Sequence, residues 1–439
     1  MTDRRFHLGW FLNYTVDGWD EQWSDGGHDW SGEVYVDIAR QLDRAGFDYV
    51  LLEDKLMVAD TYGGSFEAEL RHAQHSPKLD PAPLVPLLAQ ATDRLGFIVT
   101  LSTSFYPPYL LARLVSTLDH LSRGRVGWNI VTSAEDRAAQ NFGHDTLPEH
   151  DLRYEKADEY VDLVRRLWGS WEPGAVVRDR TTRTYIDHTK VHDIDFEGRF
   201  YRSRGPLNTV PSPQHFPVLA QAGGSPKGRA LGAKYADTVV APASTVEDMR
   251  AYRDDIRRGA AESGRDPDDV KVLFLVSPTL GDTDEHAWQR VQARVEDPLF
   301  IERSLVGISD VTDIDFSAFD LDQPLPDDLV TNGERGTLRA MVEGGRGRTL
   351  RELITGDVGR RKGDLVGSPA TVADRLEEIA EAVGGDGFLF HAPGLRVSRK
   401  YVIEVTDGLV PELRRRGLVR DDRGTDRTGR HLRDALREF

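Results

Sequence analysis

The 439-residue chain contains no cysteine. That excludes disulfides, thiolate nucleophiles and every cysteine-ligated zinc or iron-sulfur site. No stretch approaches the ~18 consecutive apolar residues of a membrane-spanning helix, and the opening MTDRRFHLGWF lacks the apolar run of a secretory signal. A cytoplasmic protein is expected. Positive charge is also short: 56 Lys and Arg against 73 Asp and Glu leave a formal net charge of -17, which repels nucleic acid and anionic membrane from most of the surface. A small molecule is the expected partner, with no nucleic acid and no membrane. No G-x-S-x-G elbow or P-loop occurs, and no G-x-G-x-x-G follows a strand pattern. Acyl transfer, nucleotide hydrolysis and a doubly wound dinucleotide fold therefore lack support.

What is present alternates. Strand-type segments at 6–12, 49–52, 97–100, 126–131, 218–221, 238–240, 272–276 and 387–390 are separated by amphipathic helical patterns, the arrangement of parallel strands with helical crossovers. Val34, Ile38, Leu42 and Ala45 share one helical face, as do Tyr154, Ala157, Val161, Val164 and Trp168. Ser368 and Pro369 open the last crossover helix as cap and first residue. Eight such units predict an α/β fold, a (β/α)8 barrel running as one domain over 1–439. Such a barrel needs only ~250 residues, so the surplus is expected as insertions at 61–81, 171–216 and 281–367 and as a charged C-terminal tail at 415–439. The Gly- and Arg-rich stretch 332–353 reads as a mobile lid or, equally, a solvated excursion; its arginines would attract an anionic substrate.

Polar residues at the carboxyl ends of barrel strands are site candidates, because those ends face the active site. Leu111, Leu114, Val115, Leu118 and Leu121 predict a helix that stops at Gly124, followed by a buried strand running out into Asn129, Thr132 and Ser133. Asp54 follows the second strand and Thr100 ends the third. Near the fifth strand, VLAQAGGSPKG places two glycines before Ser225 as helix cap and Pro226 as first helical residue. Glycines let a ligand approach the backbone and the helix start offers unpaired N–H groups, which reads as a phosphate seat or as an ordinary cap. His150 and Tyr154, four apart on a helix that opens at Pro148, lie one turn above each other. His188 and His192 stand in sequence that reads as a hairpin rather than a helix, so no metal site is expected.

The words ARLVSTLDHLSRGRVGWNIVTS and AQNFG (112–133 and 139–143), with KVHDIDFEGRFYRSRGPLNTVPSPQ, SPATVADRLEE and DGFLF, resemble the flavin-dependent monooxygenases related to nitrilotriacetate and dibenzothiophene-sulfone monooxygenase, a branch of the bacterial-luciferase-like superfamily. The similarity is weakest over 281–367. It implies the same barrel and a two-component enzyme, in which FMNH2 from a separate NAD(P)H:FMN reductase reacts with O2 to a C4a-(hydro)peroxide that oxygenates a small organic substrate. It also implies FMN contacts from Asp54, Thr100, His150, Tyr154 and Ser225, with Asn129 near the isoalloxazine or substrate. Trp10, Phe11, Phe105, Tyr106 and Trp128 would line a dry cavity. Many relatives have a small residue after the Asp, where this chain has Lys55. No catalytic residue is named, and a dimer or tetramer is expected. A deazaflavin-dependent oxidoreductase of the same superfamily and a non-catalytic flavin-binding barrel are the alternatives.

Overall fold

Eight parallel strands close a barrel in chain order: β1 (His7–Asn13), β2 (Tyr49–Glu53), β3 (Gly96–Ser102), β4 (Val126–Val131), β5 (Val218–Ala222), β6 (Thr238–Ala241), β7 (Lys271–Val276) and β8 (Gly387–Phe390), with β8 pairing back to β1. All eight expected strand segments are these strands, to within two residues at either end. The computed structural model describes residues 5–16, 18–20, 30–242, 245–356, 365–421 and 429–439. The helices that matter below are α1 (Glu33–Ala45), α2 (Pro108–Ser122), α3 (His150–Trp168), α4 (Pro226–Tyr235), α5 (Val246–Glu262), α6 (Phe300–Thr312), α7 (Arg335–Gly345), α8 (Pro369–Val383) and α9 (Leu432–Leu436). No helix among the described residues is long and apolar enough to cross a membrane.

Local chemistry sets the helix ends. The Ser225 hydroxyl caps α4 by accepting from the Gly228 N–H at 3.1 Å, and Ser368 does the same for α8 from Thr371. Helix α3 begins at His150 rather than at Pro148, with Glu149 as its cap residue. Helix α2 ends at Ser122, two residues before Gly124: its cap residue Arg123 is itself left-handed at φ 59, and Gly124 follows at φ 85.

Alternation along the strands sorts the core in two. Leu8, Trp10, Leu12, Phe97, Val99 and Trp128 face the helical layer, whereas Tyr49, Leu51, Ile98, Val218, Ala220, Val240, Leu273 and Leu389 fill the barrel. Trp10 and Trp128 therefore do not line the cavity expected of them. Trp10 packs on Phe47 and Tyr401, and Trp128 on Tyr160 and Trp168 while its indole N–H donates to the Leu101 carbonyl. Phe11 does point inward.

The charged end of the chain is not a free tail where it is described. Leu432 and Leu436, one turn apart on α9, join the barrel-interior cluster and close its amino-terminal floor. Gly96 makes room for them: a Cβ there would lie 2.5 Å from Leu432. The charges stay outside and paired, Arg433 with Asp237 and with the Phe216 carbonyl at 2.7 Å, and Arg437 with Asp269 at 2.6 Å. Residues 422–428 of this stretch, and 357–364 of the third insertion, lie outside the described residues.

The stretch 171–216 carries two short antiparallel ladders, Val176–Asp179 with Thr184–Ile186 and Phe196–Glu197 with Arg202–Ser203. The stretch 281–367 is more regular than its sequence predicts, because its helices bury a small core of their own. Leu305, Phe316, Met341, Leu350, Leu353 and Ile354 meet there, with Tyr62 of the first insertion packed on them. Buried charge fastens this layer to the barrel. Asp310 of α6 accepts from Lys55, just past β2, and lies 2.7 Å from His75; Lys55 also reaches Glu135 at 3.4 Å, and His72 meets Glu302 at 2.8 Å.

Two predictions follow from this packing. Leu432→Ala lowers stability by about 2 to 5 kcal/mol, the range for a fully buried leucine, with an unchanged urea slope in equilibrium unfolding. Asp310→Asn leaves Lys55 buried with one carboxylate fewer and costs about 3 kcal/mol. Burial opposes ionisation of Asp310, but Lys55 and His75 outweigh it and hold its pKa at about 2 against an ordinary 3.8. Its contribution is thus complete above pH 3.8 and is lost as the pH falls through about 2, so urea titrations across that window show a shallower acid limb in the variant.

Candidate functional site

The barrel interior is filled to its rim, so any site lies at the carboxyl ends of the strands. Two residues beyond the inward-facing Ile98, Phe11 and Leu389 come Thr100, Asn13 and His391, and period-two alternation turns these inward as well. Thr100 and Asn129 are register partners on β3 and β4, and the Asn129 amide donates to the Thr100 hydroxyl at 2.9 Å. The remaining amide oxygen of Asn129 is buried with no partner among the described residues. So is that of Asn13, whose Nδ2 donates to the Leu395 carbonyl at 2.9 Å. Two orphan acceptors at one barrel mouth are costly unless a ligand supplies N–H or O–H groups.

Beside them, the β5–α4 turn forms a cradle. A Cβ on Gly228 would lie 3.0 Å from the Tyr154 hydroxyl and 3.1 Å from Gly223 Cα, and one on Gly223 would lie 2.5 Å from the Gln221 amide. A side chain at either position would crowd the other glycine's Cα, at 3.1 Å from Gly228 and 2.9 Å from Gly223. Tyr154 meets the hydroxyls of Ser225 and Thr132, and its ring lies 4.9 Å from that of His150, so α3, α4 and the β4 exit converge on one point. The His150 Nδ1 is 2.8 Å from the Asp151 carboxylate, which this bond holds below the ordinary range. Across the mouth, burial and the neighbouring Glu53 push Asp54 up to about 7. Lys55, the departure noted above, turns away from Asp54 toward Asp310 and Glu135.

The stretch 332–353 starts directly over this cradle. Gly336 approaches Gly224, with Gly224 Cα 3.7 Å from where a Gly336 Cβ would be. Arg153 donates to the Asn332 carbonyl at 3.0 Å, and Arg335 lies close enough to Asp151 and Arg153 to act on both charges. Three of the other arginines have partners of their own. Arg339 pairs with Glu343 at 2.9 Å, Arg351 with Asp322 at 2.7 Å, and Arg348 donates to the Glu352 carbonyl at 2.6 Å, because helical spacing and the adjacent loop offer nearer partners.

The expected residues thus form three groups around one mouth: Thr100 with Asn129, His150 with Tyr154 and Ser225, and Asp54 apart from both. Sequence reading missed Asn13, Arg153 and His391. His391 follows β8 directly, with its Nδ1 2.9 Å from the Ala392 carbonyl. Continuing the β8 alternation by two residues would have found it; Arg153 carries no such signal, because only the fold brings Asn332 to it.

Residues 6–387 match the family described as luciferase-like monooxygenase. The chain is 36% identical over 445 residues to dibenzothiophene-sulfone monooxygenase of Rhodococcus erythropolis (strain XP), covering 99% of this chain and 96% of that one. To nitrilotriacetate monooxygenase component A of Aminobacter aminovorans it is 34% identical over 413 residues, 92% and 89% of the two chains. A riboflavin lyase solved with modified FMN and riboflavin superposes with a TM-score of 0.85 at 31% identity, covering 99% of this chain and 96% of that one. With this barrel and near full-length similarity, the chain belongs to the luciferase-like monooxygenases, a family of oxidoreductases.

Proposed function

We propose that the chain is the oxygenating component of a two-component flavin monooxygenase that takes reduced FMN from a separate NAD(P)H:FMN reductase and oxygenates a small organic substrate with O2. The observation that carries this reading is the glycine cradle at β5, with Ser225 and Tyr154 beside it, opening next to the unpartnered amide oxygens of Asn13 and Asn129. The residues fit the cofactor. The first-turn N–H groups of α4 and the hydroxyls of Ser225 and Tyr154 would hold its phosphate, and His150 would stand beside them. Asn129 and Asn13 would accept from ring N–H groups, and Asp54 from a ribityl hydroxyl. When bound, the reduced flavin supplies the electrons that activate oxygen.

The chain's own work is then to orient the ring, keep water out and hold protons. Phe11 and the filled barrel form a dry floor, and α7 with Asn332 over the cradle forms the roof. Asp54, with its pKa pushed up to about 7 and so only partly ionised near neutrality in the free protein, is the group poised to exchange a proton with the bound ligand. That a relative is named component A of nitrilotriacetate monooxygenase supports the separate reductase.

The decisive experiment supplies the purified chain with FMN, NADH and a panel of sulfones, sulfides, alkanes and aminopolycarboxylates, with and without a flavin reductase, in air and under nitrogen. Turnover is expected only with reductase and O2. Oxygen-independent turnover with a reduced deazaflavin would favour hydride transfer instead, and absence of turnover alongside tight flavin binding would favour a non-catalytic barrel.

Ser225→Ala is expected to weaken FMN by about 1 to 3 kcal/mol in flavin titrations while riboflavin, which lacks the phosphate, is unaffected. FMN affinity is also expected to rise as the pH rises through about 7, because a donor to the Asp54 carboxylate favours its charged form; binding then releases a proton. Calorimetry in buffers of different ionisation enthalpy reads that proton, and Asp54→Asn removes it.

A further inference from the structure

On the opposite side of α3 from Tyr154 lies a second concavity, an open cleft of about 570 Å³ counting its mouth, bounded by the loop after β3, the loop leading into α3, and Tyr201 of the 171–216 excursion. It contains none of Thr100, Asn129, His150, Tyr154 or Ser225. Apart from its open mouth it encloses about 170 Å³, room for a compact organic ion and not for a large ligand.

Its chemistry has one sign. Arg153 lines it, is only 3% exposed, and spends its two terminal nitrogens on the carbonyls of Pro148 and Asn332; its Nε is buried with no acceptor among the described residues. Lys156, one helical turn on, also lines it and has neither an ion pair nor a hydrogen bond with any described residue. The Tyr201 and Thr146 hydroxyls are likewise uncommitted there. On a chain of net charge -17, two cations without carboxylate partners in one cleft are not an accident of composition. The carboxylates that act on Arg153 have other partners, Glu135 with Lys55 at 3.4 Å and Asp136 with the Leu147 N–H at 2.8 Å, and Glu159 accepts from the N–H groups of Arg199, Phe200 and Tyr201 at 2.9, 2.8 and 2.7 Å. The facing wall is apolar. Phe105, stacked on Phe142 at 4.3 Å, stands there with Leu147 and Pro148.

We propose that this cleft is a second small-molecule site, separate from the cradle at β5, which binds an organic anion: a carboxylate or sulfonate set between Arg153 and Lys156, on a flat apolar body lying against Phe105 and Leu147. Lys156 supplies the accessible cation, and the buried Arg153 guanidinium adds its positive field from the wall of the cleft. Arg153 also fastens Asn332 over the cradle, so an anion in the cleft bears on the same guanidinium.

The test is calorimetric titration of the full chain, saturated with FMN, with benzoate and with its neutral analogue benzamide. Benzoate is expected to bind at least fivefold more tightly than benzamide, Lys156→Gln to weaken benzoate at least fivefold, and Lys156→Glu to abolish its binding, with benzamide binding unchanged in both variants. Lys156 is partly exposed and unpaired, so both variants are expected to melt as the wild type does, and thermal unfolding checks this. Equal binding of the two probes, benzoate binding indifferent to Lys156, or no benzoate binding at millimolar concentration overturns the proposal. So does benzoate binding seen only in flavin-free protein and lost on adding FMN, since the anion would then occupy the cradle.

Discussion

An eight-stranded barrel leaves an interior just wide enough for side chains to fill, and everything else in this molecule answers to that constraint. Tyr49, Leu51, Ile98, Leu273 and Leu389 occupy the lumen, and α9 closes it from below. A ligand the size of a flavin therefore has nowhere to go but the rim. The same alternation that sends leucines inward lower down sends Asn13, Thr100, Asn129 and His391 inward at the top, so the polarity of the mouth is a consequence of strand parity.

The rim alone is shallow, and the insertions deepen it. The helices of 281–367 form a second apolar core, yet it is buried charge that registers them on the barrel, through Lys55 with Asp310 and Arg153 with Asn332. Apolar contact is non-directional and would tolerate sliding; a buried ion pair or a donated guanidinium does not. The segment over the cradle is thus held in a defined place, with two residues of the barrel layer deciding where.

How much of this was legible follows from which contacts are local. The eight strands were readable because each is a short apolar run bounded by turn chemistry, and Ser225 and Ser368 because capping is decided within four residues. Tyr154 and His150 were readable as a pair for the same reason. Trp10 and Trp128 lie on the helical side because position in a strand sets depth along the barrel, whereas parity decides the face. The helices of 281–367 were hidden because their apolar positions are sparse and are satisfied by one another and by Tyr62, far off in sequence. Arg153 and the floor leucines were invisible for the plainest reason, since nothing in a linear chain announces that residue 332 lies over residue 153 or that Leu432 lies inside a barrel begun at His7.

That last contact governs how the molecule can be made. The barrel's lumen is completed by residues that leave the ribosome well after the eighth strand, so a nascent chain with every strand already synthesised still has an open, apolar floor. Every contact that seals it is long-range, and the loop-closure entropy for such contacts must be met before they stabilise anything. Until α9 docks, the strands' amino-terminal ends remain a hydrophobic surface in contact with solvent, and the interval between emergence of β8 and docking of α9 is the period in which this protein is most exposed to aggregation.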